Sequence, residues 1–165
     1  MTDGGAVGLA LGPIESSALA QAMRGWLWLY PSVEIVHITG IAILFGSVAM
    51  FDLRLLGVSR ALSVRGLARH LLPWTLASLI LVVPSGLAMF SAHASDFIGN
   101  PAFLTKMTLL LFSACNALAF HLGVYSTVDS WDRDAATPTG ARLHGVASIL
   151  LWLGVISCGR LLAYL

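Results

Sequence analysis

Four long stretches of almost unbroken apolar residues run along this chain, separated by short polar segments. The first, YPSVEIVHITGIAILFGSVAMFDLRLLG from Tyr30 to Gly57, exceeds the roughly twenty residues that a helix needs to cross a hydrocarbon core. Comparable runs follow, so the pattern predicts membrane spans at about 30–54, 70–93, 102–124 and 143–164. Pro31 is tolerated in a first turn, Asn100-Pro101 makes a natural helix start, and Pro84 in mid-span predicts a kink. Ahead of the spans, residues 1–27 read as a Gly-rich tail up to Pro13 followed by a short interfacial helix. Glu15, Ser16 and Ser17 are its cap and first-turn candidates, and Trp26, Trp28 and Tyr30 form an aromatic belt at the water boundary. The predicted fold is all-α: an integral membrane four-helix bundle, residues 28–165, with a short interfacial N-terminal helix.

Composition agrees with that reading. Of 165 residues, 58% are hydrophobic and 10% charged, against about 25% charged in soluble domains. One domain is expected. A net charge of +1 without a basic patch argues against a nucleic-acid partner. The two acids and missing basic n-region of the leading residues do not resemble a secretory signal peptide. Cys115 and Cys158 lie inside apolar runs and read as small hydrophobes. The loops at one end hold Arg54, Arg60, Arg65, Arg69, Arg133 and Arg142, while the other end has only Arg24, Lys106 and Arg160. Excess basic charge marks the cytoplasmic face, so both termini are expected outside.

Polar groups inside the spans are where chemistry is expected, because ionisable residues at that depth need a protein interior, a cavity or a cofactor. Glu34 and His37 stand one helical turn apart, with His37 about 10 Å inside its boundary at 1.5 Å per residue. Gly40, Leu44, Ser47 and Phe51 continue the His37 face, and its small residues allow close approach. At the Arg-rich end His121 and His144 match in depth, with His70 nearby; at the other end His93 closes the second span. Neutral imidazoles from facing helices are the usual axial ligands of haem b. His37, His121, His144 and His93 are therefore ligand candidates for haem b, the first three also for a metal ion, with charge near the propionates expected from Lys106, Arg160 and Arg142. Two other readings compete for these residues. Glu34 with His37 matches half of a carboxylate-bridged metal site, and Glu34 with Lys106 and Arg160 forms a neutralising ion-pair network. The latter leaves His37 free to relay a proton or bind a quinone oxygen. Asp52, at the exit of the first span, reads as a solvated boundary charge able to pair with loop residues.

The run from Tyr30 to Gly57, followed by LLPW, NPAFLTKM, NALAFH and WLGVISCGRLLAY, resembles an uncharacterised bacterial family of four-span inner-membrane proteins over about Tyr30 to Tyr164. That likeness implies the four-span architecture and the inner membrane, and carries no assigned activity. A separate architectural likeness, to four-helix b-type cytochromes, rests on inward histidines at both boundaries. Together they lead to the expectation of a small redox subunit that holds haem b and passes electrons between a quinone pool and a membrane or periplasmic partner. A scaffold subunit and a carrier of a metal ion or small solute, lined by Glu34, His37 and Lys106, are the alternatives.

Overall fold

The computed structural model describes residues 11–162 and residue 164. Residues 11–15 are helical, so the tail expected up to Pro13 ends earlier, and its first ten residues lie outside the described part. Helix α1 (Ala18–Gly25) starts at Ser17, whose hydroxyl accepts the Ala20 N–H at 3.2 Å. The spans are α2 (Leu29–Leu55), α3 (Val64–Ala92), α5 (Pro101–Leu122) and α6 (Thr139–Leu161). A six-residue α4 (Ala94–Gly99) and a 3-10 helix (Val124–Ser130) occupy two of the connections. All four spans are long and apolar enough to cross a membrane. The chain is a multi-pass membrane protein, and side chains such as Ile35, Ile80, Leu111 and Leu150 face outward as lipid contact requires.

The second span begins six residues before the expected His70. Ser63 caps it, its hydroxyl accepting the Gly66 N–H at 2.9 Å, and Asp132 from the far loop accepts the Arg65 N–H at 2.7 Å. With these donors satisfied, the Arg-rich segment that reads as loop continues as helix. The helix also runs through Pro73 and Pro84 without a break.

Packing is in two antiparallel hairpins. Helix α3 lies along α2 and α5 along α6, while α2 against α6 joins the pairs. Glycines set these distances. A Cβ on Gly40 would lie 2.7 Å from Val82 Cγ2 and 3.0 Å from Leu81 Cβ, and one on Gly145 would lie 3.3 Å from both the Asp52 carbonyl oxygen and Leu55 Cβ. Consecutive spans α3 and α5 barely touch along their length. They meet at the N-terminal end of the bundle, where Phe90, Phe97 and Phe103 stack with centroids 5.4 to 6.2 Å apart. There Arg24 Nη1 also donates to the Ala92 carbonyl at 2.7 Å, and Glu15 accepts from the Ser95 N–H at 2.7 Å, fastening the N-terminal helices to the ends of α3 and α4.

At the opposite, Arg-rich end, Leu55, Val64, Phe120, Val128, Trp131 and Ala141 form a buried core. Arg54 is only 2% exposed. Its guanidinium donates to the carbonyls of Leu62 (2.7 Å), Arg60 (3.2 Å) and Asp132 (3.0 Å), stitching both loops to the end of α2. This is why Arg54 does not need Asp52 as a partner.

Two outcomes follow. Gly40→Leu should destabilise the protein by roughly 1–3 kcal/mol through overpacking, read as a lowered unfolding midpoint in detergent. Gly46→Ala, with nothing within 4 Å of its added Cβ, should be neutral or stabilising by up to about 1 kcal/mol. The Arg65 N–H, helped by the Ser63 hydroxyl and nearby arginines, holds the Asp132 carboxyl below the usual carboxylate range. Its folded value is depressed, so its contribution is present above the unfolded value of about 3.9 and lost as pH falls below that. An Asp132→Asn variant should lack this part of the acid-induced loss when midpoints are compared between pH 6 and 3.

Candidate functional site

A cavity of about 140 Å³ lies at the Arg-rich end, lined by residues of all four spans. Its wall is mostly apolar, with Phe51, Leu55, Leu71 and Phe120 among its residues. Seven polar side chains from all four spans break that wall: Ser47 and Asp52 from α2, Thr75 from α3, Asn116 and His121 from α5, and His144 and Ser148 from α6. The exposed members of the lining, Leu72, Ala117 and His121, belong to α3 and α5.

Asn116 ties two of these spans together. Its Nδ2 donates to the His144 carbonyl at 3.1 Å, which fixes the amide orientation and turns Oδ1 toward the His144 ring. Oδ1 can only accept, so the proton of a neutral His144 sits on Nδ1, 2.8 Å away, leaving Nε2 with its lone pair. The same logic applies at His121, whose Nδ1 meets the Ala117 carbonyl at 2.8 Å. Phe120 stands edge-on to both rings, 5.3 Å from His121 and 5.8 Å from His144.

Asp52 is 4% exposed. Ser148 stands beside its carboxyl group, and its Oδ2 is buried with no hydrogen-bond partner among the described residues. Sequence reading placed Asp52 at a solvated boundary; the Gly145 contact instead lets α6 close over it. A signal was present in the spacing, because Asp52 lies eight residues after Leu44 and three before Leu55, flanking the buried stripe of α2.

The remaining candidates lie elsewhere. His37 is fifteen residues before Asp52, roughly 22 Å along α2. Its Nδ1 lies 3.1 Å from the Val82 carbonyl and 2.9 Å from Ser85 Oγ on α3, and Gly86 makes room for the ring. His93 caps the end of α3, exposed, 3.6 Å from Asp96. Lys106 is half-buried beside Gly159, and Arg160 is exposed with its guanidinium over the Tyr164 ring. Glu34 is exposed, and among the described residues no ion pair joins it to Lys106 or Arg160. No group of three or more His, Cys, Asp or Glu among them gathers to hold a metal ion, so His37, His121 and His144 do not share one ion. His121 and His144 do share one cavity.

Comparison with known proteins adds a family. The model of a family of unknown function, DUF6644, matches residues 15–165, from the N-terminal helices through all four spans. The chain belongs to DUF6644. No curated protein and no solved structure matches it. For this DUF6644 chain the cavity geometry therefore carries the functional reading. Asn116→Leu should leave the His144 ring N–H without its acceptor and lower stability by about 1–3 kcal/mol, measured as the urea midpoint in mild detergent.

Proposed function

We propose that the protein is a small membrane redox subunit that receives the ring of a quinone at the Arg-rich end and passes electrons between the quinone pool and a partner protein. The observation that supports this best is the cavity itself. Its volume of about 140 Å³ is close to the ~150 Å³ of an apolar cavity that takes up benzene, while hydroxyl, carboxyl and imidazole groups stand among its apolar lining. One six-membered ring with polar substituents matches that mixture. The seam between α3 and α5 offers entry from the bilayer, where such molecules dissolve. By the arginine count, this end faces the cytoplasm of a bacterial inner membrane with both termini outside.

A second reading, haem b, is favoured by the ring nitrogens. A histidine that ligates a metal usually donates its other ring N–H to a protein oxygen, and His121, His144 and His37 each have Nδ1 so engaged. Bound haem would supply one-electron chemistry. The donors fit, but the space does not: cofactor pockets run from about 300 to 1,000 Å³, and a cavity of about 140 Å³ holds one ring rather than a macrocycle.

In nanodiscs, a short-tail benzoquinone should quench the tryptophan fluorescence saturably, and His144→Ala should weaken that binding by about tenfold. Absence of saturable binding overturns the quinone reading. A Soret band that disappears in His121→Ala and His144→Ala would replace it with haem, and absence of both leaves a scaffold.

A further inference from the structure

We infer that Asp52 is the group that recognises the reduced, hydroxylated form of the ring, accepting a hydrogen bond from a quinol O–H at its unpartnered Oδ2. This rests on the quinone reading and goes beyond it, because it names which redox form the cavity selects and the residue that selects it.

Three observations converge on Asp52. Its side chain is one of the most buried polar groups in the chain at 4% exposed, yet Oδ2 has no donor among the described residues. It is the one acidic side chain lining the cavity, whose exposed lining residues, Leu72, Ala117 and His121, belong to α3 and α5. Arg54, two residues away, spends its guanidinium on the carbonyls of Leu62, Arg60 and Asp132 and on Thr137. A buried carboxyl oxygen without a donor is costly. Against the ionised carboxylate a ligand with an O–H relieves that cost, whereas one carrying only carbonyl oxygens places acceptor against acceptor. Quinol and quinone differ in this respect and hardly at all in size. A wall of Phe51, Leu55, Leu71 and Phe120 suits the ring faces, leaving Asp52 to read the edge.

The full chain in lipid nanodiscs tests this with a short-tail benzoquinol and the matching benzoquinone. Wild type should bind the quinol more tightly than the quinone. Asp52→Asn should weaken quinol binding about tenfold or more, the range for a hydrogen bond to a charged group, and leave quinone binding within about threefold or improve it, since the new amide N–H donates to a carbonyl. Equal loss of both forms, or none of either, overturns the inference while the quinone reading stands. Failure of wild type to bind either form overturns both. Should the variant fold poorly, labelling of wild type by a hydrophobic carbodiimide gives a second measurement. Asp52 should be modified, as read by mass spectrometry, and protected by the quinol but not by the quinone. Labelling that neither form changes means that internal water alone satisfies Oδ2, and the inference fails.

Discussion

The contact between α2 and α6 at Gly145 is the constraint on which the rest of the bundle depends. Each hairpin, α2 with α3 and α5 with α6, is held by neighbours in sequence, and nothing else of comparable extent unites them. Because Gly145 has no side chain, α6 reaches the Asp52 carbonyl and Leu55 on α2. In a bilayer, where apolar surface alone gives helices little reason to associate, such close approach supplies the dispersion contact that replaces the hydrophobic effect. It also carries Ser148 and His144 against α2, and so builds part of the polar lining of the cavity.

Polar groups at the Arg-rich end divide into those that fix the fold and those left over. Arg54 closes both loops onto the end of α2 through backbone carbonyls, and Asp132 caps α3 from the far side of the chain. Asn116 uses donor and acceptor to bridge α5 to α6. These groups are satisfied and rigidify the end of the bundle. Asp52 stands among them with an Oδ2, and Arg142 with an Nε, that no described residue satisfies.

Much of this architecture is legible in the sequence. The four spans are visible because the bilayer demands long apolar runs, and the shared depth of His121 and His144 follows from the rise of a helix. What escaped depends on contacts between distant residues. The early start of α3 needs Asp132, 67 residues beyond Arg65, to cap it. Burial of Asp52 needs a glycine in another span, so its own neighbours suggest only a charged span end. The expected network of Glu34, Lys106 and Arg160 fails on orientation: Glu34 points outward, Lys106 turns toward Gly159, and Arg160 folds over Tyr164. Depth along a span is readable from sequence, whereas azimuth around it is set by partners that the sequence does not identify.

The trio of Phe90, Phe97 and Phe103 fastens α3 to α5 at one extremity, while Asp132 and the buried Val64 and Phe120 fasten the start of α3 to the end of α5 at the other. A pair of helices pinned at both extremities resists splaying, so the sparse contact between α3 and α5 is confined to the stretch between the two fastenings.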